Sequence, residues 1–231
     1  MSSGVLSDQS MGSGIGRHTL IVDGRQWLGP RTFELRFKHP RGFTFAAGQK
    51  IRFLHGDISR DYTLVNGPGD TVPAICVRHV PEGRFTPILA SARPGAAFEV
   101  EGPWGYFVCR PGDRQRVFVA TGTGIAPFVS FARDGVRDFL CLHGVRDPGE
   151  LYYQDVVAPA AKLYLPCLSG KPRADASVPG FYGRVSRYLR DRLQPGVYDF
   201  YLCGRSEMIE EAVHIIDEKF NGARIFTEIF Y

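Results

Sequence analysis

The sequence has little that would tie it down covalently or place it in a membrane. Its five cysteines (Cys76, Cys109, Cys141, Cys167, Cys203) are spread through the chain with no C-x-x-C pair, which excludes the common zinc and iron–sulfur ligand spacings. An odd number of thiols suits a reducing cytoplasm better than a disulfide framework, and most of them read as plain core residues. No apolar run approaches the 18 residues that a membrane helix needs. Residues 1–16 are rich in Gly and Ser and have no apolar core of a signal peptide, so they read as a flexible leader. Net charge is also scarce, at +4 from 28 basic and 24 acidic residues. With no basic run interleaved with aromatics, nucleic-acid binding is not expected.

There is ample material for a core: 44% of the 231 residues are hydrophobic and 13% aromatic. A chain of this length holds one or two domains. The small positive excess is uneven. Residues 1–112 carry 13 basic against 9 acidic residues, and residues 113–231 carry 15 of each. A locally basic face in the first half can steer an acidic partner.

The two halves differ in rhythm. Up to residue 112, short apolar or alternating runs sit between Gly and Pro turns, as at 32–37, 50–54 and 72–80, with one short helix near 86–91. This predicts an antiparallel barrel over 17–112. Beyond residue 113, strands at 117–120, 138–143, 163–168, 199–203 and 224–227 alternate with helical stretches ending near 133 and at 151–161, 184–192 and 207–220. This predicts an α/β domain with a parallel sheet over 113–231.

Five segments carry chemistry. Thr121-Gly122-Thr123-Gly124-Ile125-Ala126-Pro127 follows the first strand of the second half. Glycines there permit a tight turn and let backbone amides approach a pyrophosphate, and Pro127 suits a helix start. Arg60-Asp61-Tyr62-Thr63-Leu64 offers a phosphate partner and a flat stacking surface. On an untwisted strand, Arg60 and Tyr62 would share one face, with Asp61 and Thr63 on the other. Gly83-Arg84-Phe85-Thr86 opens the short helix and can hold a phosphate or act as an ordinary cap. Cys203-Gly204-Arg205-Ser206-Glu207-Met208 ends a parallel strand, where ligands gather. Glu228-Ile229-Phe230-Tyr231 puts two aromatics behind a carboxylate, unlike a polar frayed end.

Taken in chain order, with Gly102-Pro103-Trp104-Gly105-Tyr106-Phe107 between the Gly83 and Thr121 segments, these motifs resemble the ferredoxin–NADP reductase superfamily over nearly the whole chain. The resemblance implies a flavin-binding barrel followed by a nicotinamide-nucleotide-binding domain. Arg60 would pair with the flavin pyrophosphate, Tyr62 would stack on the flavin ring, and Thr63 would lie near its reactive nitrogen, with Leu64 beside it. Residues Gly83, Arg84, Phe85 and Thr86 would cap the phosphates. Thr121, Gly122, Thr123, Gly124 and Pro127 would hold the nicotinamide nucleotide, with Gly204 and Met208 nearby. Cys203, Glu228 and Phe230 would flank hydride transfer. Tyr231, one residue further, favours FAD over FMN.

NADPH-specific members carry an adjacent Ser-Arg pair. Here the segment runs Ser169-Gly170-Lys171-Pro172-Arg173, so Lys171, Arg173 or Arg146 would have to substitute, and NADH and NADPH both stay open. The resemblance implies electron transfer from the nucleotide through FAD to a separate acidic carrier, such as ferredoxin or flavodoxin, or to an oxygenase component. The chain would act as a monomer in the cytoplasm. Two alternatives are a flavin reductase that releases reduced flavin and a non-catalytic electron-transfer subunit.

Overall fold

The computed structural model describes residues 16–170 and 179–230. Its first half is a six-stranded antiparallel sheet built from β1 (Arg17–Gly29), β2 (Thr32–Phe37), β3 (Lys50–His55), β4 (Ile58–Thr63), β5 (Ala74–Arg78) and β6 (Ala97–Trp104). The strand order is β4-β3-β6-β1-β2-β5. The two outer strands meet through a Leu64–Ile75 bridge and a Val65 N–H to Ala74 carbonyl bond of 2.9 Å, which curls the sheet into a barrel. Inward residues such as Leu20, Leu35, Phe37, Ile51 and Phe53 are wholly buried. The short helix α1 (Thr86–Ser91) packs Leu89 against them.

The second half is a six-stranded sheet of order β10-β9-β8-β7-β11-β12, and every pairing in it is parallel. Its strands are β7 (Gln115–Thr121), β8 (Phe139–Val145), β9 (Ala161–Leu168), β10 (Phe181–Tyr182), β11 (Tyr198–Gly204) and β12 (Arg224–Ile229). The intervening helices are α2 (Ala126–Arg133), α3 (Gln154–Ala160), α4 (Val185–Asp191) and α5 (Ser206–Lys219). Strand β7 is wholly buried from Val117 to Ala120 because helices cover both faces. Phe118 stacks between Phe128 and Phe139 at centroid distances of 4.6 and 4.5 Å; each such pair contributes about 0.5–1.5 kcal/mol beyond its buried area.

One expected element is shorter than its pattern. The helix expected at 151–161 spans only Gln154–Ala160. Tyr153 sits in the left-handed region (φ 56°), and its hydroxyl reaches across to donate to Glu34 of β2 at 3.0 Å. Tertiary contact overrides local propensity there.

The seam between the two sheets is packed and hydrogen-bonded. Ala47, Val65, Ala74, Cys76 and Phe107 share one core cluster with Phe128, Phe131 and Tyr153. Ser130 of α2 accepts from the Gly48 N–H and donates to the Asn66 carbonyl at 2.7 Å, and Arg133 donates to the Val65 carbonyl. A side chain at Gly48 (φ +89°) would overlap the Phe107 carbonyl and the Phe131 ring. These contacts fix the barrel against the ends of β7 and β11. Among the described residues no helix is long and apolar enough to cross a membrane.

Candidate active site

A cavity of about 1150 Å³ runs along the seam. From the barrel it takes Lys50, Arg52, Arg60, Asp61, Tyr62, Thr63, Arg78 and Thr86. From the parallel sheet it takes Thr121, Gly122, Thr123, Arg146, Ser169, Arg184, Gly204, Arg205, Met208, Glu228 and Phe230. The parallel-sheet groups stand at the carboxyl ends of their strands, where ligands bind in open α/β sheets.

Within the cavity the two halves meet at a hydrogen bond. Thr63, at the end of β4, donates its hydroxyl proton to Glu228 Oε2 at 3.3 Å. Glu228 is 9% exposed. Burial pushes its carboxyl up to about 7, opposed by the Lys50 charge and the Thr63 hydrogen bond. Lys50 Nζ lies 3.8 Å from Glu228 and 3.3 Å from Asp61, and 4.5 Å from the Trp104 ring centroid. Asp61 takes a two-pronged bond from Arg52 at 2.7 and 3.1 Å. Burial works against its charge, but Arg52 and Lys50 together hold the carboxyl below its ordinary range. The result is a fixed carboxylate beside one that can hold a proton near neutrality.

The split of Arg60 and Tyr62 from Asp61 and Thr63 onto opposite faces is kept: Asp61 and Thr63 stand opposite Arg52 and Lys50 in register and share their polar contacts, while Tyr62 stands opposite Ile51 and packs on Phe53. All four nonetheless line the same cavity, because β4 is an outer strand and the cavity reaches both of its faces. Tyr62 rests edge-on against Phe53 at 5.6 Å and beside Phe85 at 6.4 Å. Burial raises its phenol, which therefore stays neutral. Arg60 donates to its neighbour's carbonyl, Ser59 O.

The Gly-rich turn is shaped by close approach. Gly122 has φ +53° and opens a 3₁₀ turn, Gly122–Ile125, that leads into α2 with Pro127 in its first turn. A Cβ on Gly124 would overlap the Cys203 carbonyl. Gly204 (φ +144°) leaves room only for the Thr121 hydroxyl, which accepts from the Arg205 N–H at 3.2 Å. Only glycine fits such a backbone without strain.

Several expected residues lie off the cavity wall or have their polar groups engaged elsewhere. Arg84 pairs with the exposed Asp57 at 2.7 Å. The Thr86 hydroxyl is engaged by the Val80 backbone, donating to its carbonyl and accepting from its N–H. Gly83, Phe85 and Leu64 do not line the cavity; Phe85 and Leu64 belong to the barrel core. Gly124 and Pro127 are buried behind the turn. Cys203 is wholly buried beside Glu228 in register, and burial pushes its thiol well up, with the Glu228 charge adding to the effect. Phe230 lines the cavity and is held by its N–H to the Gly204 carbonyl at 2.8 Å. Lys171, Arg173 and Tyr231 lie outside the described residues.

Sequence reasoning missed Lys50 and Arg184 as cavity residues, since a strand end and a helix entry give them no motif, and it assigned no role to Arg205 although its segment was singled out. It also missed the buried His143 of β8, whose only signal is a polar residue inside an apolar strand.

The donor set fits two dinucleotides. Seven cationic side chains line the cavity against five acidic ones, Asp61, Glu150, Glu207, Glu211 and Glu228, and a Gly-shaped turn lies at the strand ends. Such a set is suited to pyrophosphate groups.

Residues 28–109 match the family model for an oxidoreductase FAD-binding domain, and residues 118–214 match that for an oxidoreductase NAD-binding domain. Terephthalate 1,2-dioxygenase reductase component 1 of Comamonas sp is 34% identical over 214 residues, covering 84% of this chain and 62% of that protein. The phenol hydroxylase P5 protein of Acinetobacter pittii is 27% identical over 221 residues, covering 88% and 62%. The chain thus spans 62% of the length of these curated relatives. Among solved structures, the Amycolatopsis cytochrome P450 reductase GcoB superposes with a TM-score of 0.80 at 25% identity, covering 97% of this chain and 73% of that one. A Neisseria gonorrhoeae ferredoxin NADP+ reductase with bound FAD and NADP shares the fold, with a TM-score of 0.79 at 19% identity over 93% and 99% of the two chains.

Proposed function

The chain belongs to the ferredoxin–NADP reductase superfamily, and on that premise we propose that it moves electrons from NADH or NADPH, through FAD, to a ferredoxin, a flavodoxin or an oxygenase component. The observation that carries this is the Thr63–Glu228 contact, which joins the two domains in the wall of one cavity. Bound FAD would supply a hydride acceptor that releases electrons singly.

The protein's part is placement and electrostatics. Arg60, on the cavity wall, is the pyrophosphate partner, and Tyr62, braced by Phe53 and Phe85, is the stacking surface. The turn from Thr121 to Gly124, with Gly204 and Met208, receives the nicotinamide nucleotide. Phe230 covers the cavity next to Gly204. Glu228 holds a proton beside the Thr63 hydroxyl, and Lys50 sets how readily it is given up. Cys203, sealed behind Glu228, packs the strand ends.

The basic excess between residues 17 and 60, nine cations against three acids, supports an acidic electron acceptor. Five unpaired thiols support a reducing, cytoplasmic setting.

The test is an anaerobic titration of the flavin-loaded protein with NADPH and, separately, NADH, followed by visible absorbance. Bleaching by at least one nucleotide is expected. A flavin band that neither nucleotide bleaches would overturn the proposal.

A further inference from the structure

His143 stands on β8 between Ala120 of β7 and Pro166 of β9, with no exposure at all. It does not line the cavity. Its Nε2 lies 3.1 Å from the Gly122 carbonyl oxygen, and its Nδ1 lies 2.8 Å from the Tyr164 hydroxyl. A carbonyl oxygen only accepts, so Nε2 carries the proton. In a neutral ring Nδ1 then accepts, and Tyr164 donates. Burial keeps the imidazole neutral, drawing it down to about 4 against the Gly122 hydrogen bond. Burial also keeps the Tyr164 phenol protonated. The chain of hydrogen bonds therefore has one direction, from Tyr164 through His143 to Gly122.

Gly122 is the residue at which β7 turns into the cavity wall, at φ +53°, with open space where a side chain would stand. A peptide group is planar and trans, so the Gly122 carbonyl and the Thr123 N–H point in opposite directions. Fixing the carbonyl toward the sheet interior turns the next amide away from it. Gly122 and Thr123 both line the cavity.

We propose that His143 is a positioning residue for the nicotinamide nucleotide: through its Nε2–H bond to Gly122 it sets the peptide plane whose Thr123 amide faces the nucleotide. Tyr164 fixes the tautomer. This rests on the reductase function proposed above. A buried polar residue is otherwise an expensive choice at a site where its strand neighbours Cys141 and Leu142 are apolar.

The test compares wild type with His143→Leu and His143→Gln in the flavin-loaded protein. Calorimetric titration with NADP+ and with NAD+ gives affinity, and steady-state reduction of ferricyanide separates KM from kcat. In His143→Leu, nucleotide affinity is expected to fall about tenfold and KM to rise equally, with kcat within about twofold and flavin content unchanged. In His143→Gln the side-chain amide can donate to the same carbonyl, and most of the affinity returns. Nitrogen-15 NMR of labelled wild type should show the proton on Nε2 of His143.

Unchanged affinity in His143→Leu, equal losses of affinity and kcat in both variants, or a proton on Nδ1 would each overturn the proposal. If His143→Leu does not fold, His143→Gln and the tautomer decide. A wild-type protein without affinity for either nucleotide would overturn the reductase function instead, and the tautomer would still be read independently.

Discussion

In the barrel half of the cavity every cation has a partner: Lys50 lies against Asp61 and Glu228, Arg52 grips Asp61, Arg60 bonds the Ser59 carbonyl, and Arg78 faces Glu150. In the parallel-sheet half, the side chains of Arg146, Arg184 and Arg205 make no hydrogen bond or ion pair among the described residues, and all three are exposed. The difference matches the two ligands proposed. Paired cations form a set shape for a group that stays bound, while solvated guanidinium groups can take up a phosphate that arrives and leaves each turnover.

The contrast can be broken most severely at the turn. Gly204→Ala forces a side chain into the left-handed region and onto the Thr121 hydroxyl. It should destabilise the parallel-sheet half by about 2–4 kcal/mol and abolish nucleotide binding, while flavin content, set by the barrel, changes little. Thermal unfolding with absorbance at the flavin band checks both.

A second prediction concerns pH. Glu228 ionises near its ordinary 4.5 when unfolded and at about 7 when folded. Between those values the folded state binds more protons, so stability falls as pH rises through the window and levels off above it. The total is about 3 kcal/mol. Glu228→Gln should flatten this slope, and denaturant unfolding between pH 4.5 and 8 would show it.

The smallest expected effect sharpens the contrast. Arg184→Ala should raise KM for NADPH about tenfold and leave KM for NADH nearly unchanged, since only NADPH carries the extra phosphate. Equal changes for both nucleotides would place Arg184 on a part they share.

Much of this was legible in the sequence. The switch from short alternating runs to strand–helix alternation marks the two sheets, and the Arg60–Thr63 and Thr121–Gly124 segments both reach the cavity. Strand β1 was not legible: of its 13 residues only Leu20 and Val22 are buried, and its register shifts twice, so no clean period of two survives. Strand β6 keeps a period of two, with Phe98 and Val100 buried and Ala97 and Glu99 exposed, but the turn-like Gly102-Pro103 inside it reads as a break. The placement of Arg84 and Thr86 was not legible either. Asp57, which holds Arg84, comes from a turn 27 residues away, and such pairings follow from the closed barrel rather than from local pattern. Lys50 and His143 act through partners on distant strands, which no spacing announces.

The central claim is that the two domains meet in one reacting site, and the Thr63–Glu228 pair tests it most directly. Anaerobic stopped-flow bleaching by the preferred nucleotide would be measured for wild type, Thr63→Ala, Glu228→Gln and the double variant. The account predicts that each single change slows the rate by about 10- to 100-fold, and that the double variant is no slower than the worse single, as for groups acting as a unit. Rate losses that multiply in the double variant would show the two residues acting separately and would contradict it.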